Sequence, residues 1–179
     1  MAVFFRGMSD AETSALTEAM LRSGEVLDFS MNDKCAAGTG RFLEGILGRL
    51  QIPLAEVAEH AARAARPVSV SSTCTVFAES EVVSLVARGE PVEGIVRGLH
   101  ASLARRVASL AGSVPPGEAI FLSGGVALNP AMVSALAEAL GRPLTVVPDP
   151  QLVGALGAAL AAADAPRFAT AAMHPHGLD

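Results

Sequence analysis

The feature that most restricts the fold is an alternation of element types between residues 119 and 162. Residues 119–122 (Ala-Ile-Phe-Leu) read as a short buried strand, 130–140 as a helix, 144–147 as a strand and 151–162 as a last helix. Strands separated by helices are too far apart in the chain to pair through a tight hairpin. Such crossovers lay neighbouring strands parallel, with the helices packed on the sheet. An α/β fold with a mostly parallel sheet is therefore expected. With 179 residues the chain is long enough for one domain with a real core and too short for two full ones.

The earlier segments follow from periodicity and punctuation. Residues 9–20 read as a short helix capped by Ser9 or Asp10, residues 25–31 as a half-buried strand after Gly24, and residues 32–37 as a small, polar loop. Thr39 starts a helix whose Phe42, Leu43, Ile46, Leu47 and Leu50 recur at helical spacing. Pro53 opens a second helix to about Ala64, and residues 68–73 look β-like. Residues 77–86 and 92–110 read as further helices, the longer one ended by Pro115-Pro116-Gly117. Residues 165–179 are expected to form a disordered tail.

Composition excludes several roles. A net charge of −5 lacks the clustered Lys and Arg that a nucleic-acid footprint requires. The most apolar run, residues 152–163, is shorter than the roughly 20 residues of a membrane span and reads as a buried or packed helix. The apolar part of the N-terminus is too short for a signal peptide. A soluble, cytoplasmic protein without nucleic-acid or membrane partners is the expectation. There is no acid–base pair or nucleophilic triad, and His60 and His100 read as surface or packing residues on amphipathic helices.

The chemistry concentrates at two cysteines. Cys35 stands in Met31-Asn-Asp-Lys-Cys-Ala-Ala-Gly-Thr-Gly40, just before a predicted helix. Unpaired N–H groups and partial positive charge at a helix N-terminus favour a thiolate or an anionic cluster. Lys34 adds charge, and the small residues leave room for a large inorganic group. Thr39 would steady this loop or merely cap the helix. Cys74, in Ser71-Ser-Thr-Cys-Thr-Val-Phe-Ala-Glu-Ser-Glu81, repeats the design, with hydroxyls around the sulfur. Glu79 and Glu81 read as first-turn carboxylates favoured by the helix dipole rather than as catalytic groups. Either cysteine alone also fits an inert thiol beside a helix cap. Two thiolates are half of the four that a cubane cluster takes, and two chains about a two-fold axis would supply four. Zinc is the chemical alternative, although none of the four histidines is spaced near a cysteine as in a zinc finger.

Three motifs then carry a resemblance: residues 28–44 (Asp-Phe-Ser-Met-Asn-Asp-Lys-Cys-Ala-Ala-Gly-Thr-Gly-Arg-Phe-Leu-Glu), residues 72–81, and Ser123-Gly-Gly-Val-Ala-Leu-Asn129. Over about residues 21–163 the chain resembles the C-terminal part of the BadF/BadG/BcrA/BcrD-type ATPases. These are the activators of 2-hydroxyacyl-CoA dehydratases and the ATPase subunits of benzoyl-CoA reductase. The resemblance implies a partial actin- and sugar-kinase-like lobe. It also implies a homodimer that shares one [4Fe–4S] cluster through Cys35 and Cys74 of each chain. ATP or ADP with Mg would sit against Gly124, Gly125 and Asn129, and low-potential electrons would pass to a dehydratase or acyl-CoA reductase partner.

One departure qualifies what is implied. The fold's phosphate loops are built on Asp-x-Gly turns, and no Asp-x-Gly occurs in this sequence. Residues 1–20 do not match the second of those loops, and the first lobe is not represented. The expectation is a chain that does not hydrolyse ATP by itself: a truncated frame, a degenerate relative, or one half of a split protein whose N-terminal lobe is a separate chain. A nucleotide-binding, kinase-like module without redox function is the reading from another class.

Overall fold

In the computed structural model, which describes residues 39–71, 75–111 and 119–164, the predicted helical periods become helices. They are α1 (Thr39–Arg49), α2 (Val57–Arg63) preceded by a 3-10 turn (Leu54–Glu56), α3 (Thr75–Ala87) and α4 (Val92–Ala111). Then come β1 (Phe121–Leu122), a 3-10 turn (Gly125–Leu128), α5 (Pro130–Leu140), β2 (Thr145–Val146) and α6 (Val153–Asp164). β1 and β2 pair in parallel, Phe121 opposite Thr145 and Leu122 opposite Val146. The expected helix at 9–20, the strand at 25–31 and the tail at 165–179 lie outside the described residues.

Helix ends follow local chemistry. In α1, α3 and α5 the chain stops through one left-handed residue, which lets two following N–H groups turn back onto the last free carbonyls. Gly89 (φ 79°) and Gly141 (φ 64°) play that part for α3 and α5, whereas α1 uses Gln51 (φ 57°). There Ile52 N–H donates to Leu47 C=O at 3.0 Å and Gln51 N–H to Gly48 C=O at 3.3 Å. The helix expected to open at Pro53 instead begins with the 3-10 turn, and no side chain caps its N–H groups. Without an oxygen to accept those donors, the first turn tightens to satisfy itself.

One core joins α1 to α5. Phe42, Leu43, Ile46 and Leu47 of α1 are buried with Val57 of α2, Val82 of α3, Ile95 and Leu99 of α4, and Met132 and Leu136 of α5. The β-like reading of residues 68–73 is replaced by an extended segment that joins no ladder. Val68 N–H donates to Gly94 C=O at 2.8 Å, and this backbone lies directly on α4. Only bare backbone allows such an approach. A Cβ on Gly94 would come within 2.8 Å of Val68 Cγ2, and one on Gly98 would overlap the Val68 carbonyl.

Two expectations are corrected. β1 is half-buried, not buried, because a two-stranded sheet leaves faces uncovered among the described residues; its neighbour β2 is exposed. The apolar run at 152–163 does form a helix, α6, but it is not packed: Leu152, Leu156 and Leu160 are 61, 60 and 42% exposed. A helix apolar all round seeks cover on several sides, and no other described element provides it. No helix among the described residues is long and apolar enough to cross a membrane.

The glycine face gives a paired prediction. Gly98→Ala should lower unfolding free energy by about 3 kcal/mol, since backbone rather than a flexible tip must yield. Gly45→Ala, in the exposed middle of α1 with nothing near its would-be Cβ, should raise it by about 0.5–1 kcal/mol. Urea unfolding of both variants checks the pair; equal effects would show that the α4 contact is not tight.

Candidate functional site

Cys35 and Cys74, like Lys34, lie outside the described residues, but the helices that follow them are described. α3 begins at Thr75, directly after Cys74, and α1 at Thr39. An α-helix of this length leaves its first N–H groups without intrahelical partners, which favours an anionic group at that end. Such donors suit sulfur ligands of a cluster, so the start of α3 fits the group that the sequence implies.

The approach to α3 is braced. The Glu81 carboxylate accepts from Ser71 N–H at 3.0 and 3.2 Å and from the Ser71 hydroxyl at 2.9 Å. Arg49, the last residue of α1, forms an ion pair with Glu79, so the end of α1 meets the beginning of α3. The two glutamates expected in the first turn sit instead in the second, because the helix starts at Thr75 and not at residue 77, and they act as cross-braces. On α3, Phe77 (68% exposed), Val83 and Val86 are uncovered apolar side chains.

The second candidate element is the turn after β1. Gly124 adopts φ 92°, ψ 171°, its N–H donates to Pro150 C=O at 2.6 Å, and a Cβ there would meet nothing within 4 Å. The turn is therefore both left-handed and open on its outer side, which permits close approach of a ligand to the backbone. Gly125 follows as the first residue of the 3-10 turn, exposed beside the Gln151 amide. The same loop packs on the start of α1, where a Cβ on Gly40 would lie 3.5 Å from Val126 Cγ2.

Asn129, the third residue read as nucleotide-binding, has its side chain engaged within the protein. Its Oδ1 caps α5 by accepting from Ala131 N–H (3.0 Å) and Met132 N–H (3.3 Å). Its Nδ2 lies 3.0 Å from His100 Nε2. His100, expected as a surface or packing residue, is 1% exposed, and its Nδ1 is 2.7 Å from Val96 C=O. Burial pushes the His100 pKa below the ordinary histidine value, against a smaller opposing effect of the Val96 bond. Sequence reasoning missed this pair. The signal was present: His100 continues the inward stripe of Val96, Leu99 and Leu103, where an imidazole needs polar partners.

Beside His100 an open cleft of about 690 Å³ runs between α2, α4 and α5. Arg97, Arg105, Ser134 and Glu138 line it, and the Arg97 guanidinium donates to Ala64 C=O at 2.9 Å. Among the described residues no three His, Cys, Asp or Glu side chains converge as a metal site.

The profile of the BadF/BadG/BcrA/BcrD ATPase family matches residues 19–162. The chain is 45% identical over 142 residues to a 2-hydroxyisocaproyl-CoA dehydratase activator of Clostridioides difficile, covering 79% of this chain and 53% of that protein. It is also 45% identical over 140 residues to an (R)-2-hydroxyglutaryl-CoA dehydratase activating ATPase of Acidaminococcus fermentans, covering 78 and 54%. The solved structure of a 2-hydroxyisocaproyl-CoA dehydratase activator from Clostridium difficile with bound ADPNP superposes with a TM-score of 0.72 at 45% identity, covering 78% of this chain and 52% of that one. The chain thus spans about half the length of the curated relatives it matches.

His100 makes stability depend on pH. Its folded pKa lies below the unfolded value of about 6.5, so the neutral form is favoured by folding. The resulting stability is present above about pH 6.5 and is lost as pH falls from there through the depressed folded value, at up to about 1.4 kcal/mol per unit. Chemical unfolding at pH 7.5 and 5.5 should show a larger loss for the wild type than for His100→Gln. Equal losses would contradict the assignment.

Proposed function

The chain belongs to the BadF/BadG/BcrA/BcrD ATPase family and has part of its actin-like α/β fold, and from that premise we propose that it is an iron–sulfur electron-transfer component of a dehydratase-activating system. Cys35 and Cys74 hold half of a [4Fe–4S] cluster, and a second copy of the chain completes the set. The observation that carries this reading is that α3 starts directly after Cys74 and is locked to α1, the helix after Cys35, through Arg49 and Glu79. The pair ties the end of α1 to the second turn of α3, so a shift of α1 as a body is passed to α3. When bound, the cluster supplies a one-electron couple at low potential.

The chain's own residues prepare that site in three ways. The N–H groups opening α3 face toward the residue 74 side and stabilise negative charge there. Glu81 fixes the incoming backbone through Ser71. The Gly124–Gly125 turn offers open backbone to the adenosine side of ATP or ADP, and Asn129 shapes that turn from within. Because no Asp-x-Gly turn is present to bind Mg and phosphates, ATP hydrolysis requires phosphate loops that residues 1–179 do not supply. The electron acceptor is a 2-hydroxyacyl-CoA dehydratase or a related acyl-CoA reductase in the cytoplasm.

Anaerobic reconstitution with iron and sulfide tests the reading. The protein should turn brown, with about four iron atoms per dimer, and Cys35→Ala and Cys74→Ala should each abolish the colour. A colourless wild type that still binds ADP would favour the kinase-like nucleotide module instead. Steady Mg-dependent ATP turnover by the purified chain would contradict the requirement for those phosphate loops.

A further inference from the structure

The hydrogen bonds around His100 determine its chemistry without ambiguity. Val96 C=O can only accept, so the nitrogen 2.7 Å from it, Nδ1, carries the proton. Asn129 Oδ1 already faces two backbone N–H donors, so the amide nitrogen is the group turned to His100. Rotating the amide would aim an NH2 at those two donors. Nε2 is therefore a bare acceptor for Asn129 N–H at 3.0 Å.

The consequence is a joint between two parts of the site. Asn129 ends the turn that begins at Gly124, and its N–H donates to Val126 C=O at 3.0 Å. His100 belongs to α4, which receives the backbone at Val68 on its glycine face. We propose that His100 is a positioning residue: as the Nδ1-protonated neutral tautomer it holds the Asn129 amide and thereby fixes the glycine turn relative to α4. As a statement about nucleotide binding this rests on the proposed function; as a statement about the turn it does not.

Protonation of His100 would place a second N–H against the Asn129 amide and open the joint. Arg97 and Arg105 on α4 face the same cleft and oppose such a charge, Glu138 on α5 favours it, and α2 presents only alanines there. Asp is as good a helix cap as Asn, so Asn129→Asp keeps the α5 cap and changes only the contact with His100.

The test uses the full chain labelled with 15N. In the wild type, long-range proton–nitrogen spectra at neutral pH should show His100 protonated at Nδ1 only, with a titration midpoint below the ordinary histidine value. In Asn129→Asp the imidazole should take up a second proton and titrate above the ordinary value. Amides of Gly124, Gly125 and Ala127 should exchange about tenfold faster in Asn129→Asp above that pKa and in His100→Leu, as expected for one lost hydrogen bond. His100→Gln, which can return an acceptor to the Asn129 amide, should restore slow exchange. If His100→Leu does not fold, Asn129→Asp and His100→Gln decide.

A proton on Nε2 in the wild type, or unchanged exchange in Asn129→Asp, overturns the proposal. Titration with Mg–ADP separates the two layers. About tenfold weaker binding by Asn129→Asp and His100→Leu, with wild-type affinity kept in His100→Gln, extends the joint to nucleotide affinity. Wild-type protein that binds no ADP removes the nucleotide reading and leaves the turn-positioning result to stand on the exchange data.

Discussion

The contact on which the described structure depends is between backbone and backbone. The backbone at Val68 can lie on α4 only because Gly94 and Gly98 leave its surface bare, and Val68 N–H closes the contact on Gly94 C=O. A single extra carbon at either position would push the segment outward. The displacement would carry along Ser71, the residue that Glu81 holds, and with it the entry to α3. Close packing transmits such shifts because protein interiors have little free volume to absorb them. A pair of glycines thus determines how closely the backbone at Val68 can approach α4.

From there the arrangement reads as a braced frame. α4 is the central member, carrying the glycine contact on one side, the apolar seam to α5 on another, and His100 within that seam. α1 and α3 form a second unit, tied by Phe42, Leu43 and Val82 in the core and by the Arg49–Glu79 pair outside it. The exposed ion pair alone contributes little to stability; its value is directional, since it joins the end of one helix to the first turns of the other. The family relationship gives that frame a context, while the uncovered apolar surfaces of α3 and α6 mark where it is unfinished among the described residues.

Much of this was legible in the sequence because it is local. The periods of 3.6 residues around Phe42 and Ile95 gave helices close to those observed, and the strand–helix–strand–helix alternation gave the parallel sense in which β1 and β2 pair. The motifs around both cysteines and the Gly-Gly turn pointed to the family. What escaped was non-local. Residues 68–71 have the composition of a strand, yet they meet a helix, and no periodicity within them could reveal Gly94 and Gly98. Residues 152–163 look like a buried helix in any hydropathy reading, but burial depends on neighbours that lie elsewhere. His100 was undervalued because its partner stands 29 positions further along the chain.

The joint at Asn129 has one more consequence, and it concerns chemical ageing. Asparagine side chains decay when the backbone nitrogen of the next residue attacks the amide carbon and closes a five-membered imide. Here the next residue is Pro130, whose nitrogen bears no hydrogen and is locked in its ring. The amide that both caps α5 and meets His100 is thereby shielded from its commonest route of spontaneous damage. Conversion to aspartate, which would reverse the sense of the bond to the imidazole, is blocked by the same proline that starts the helix.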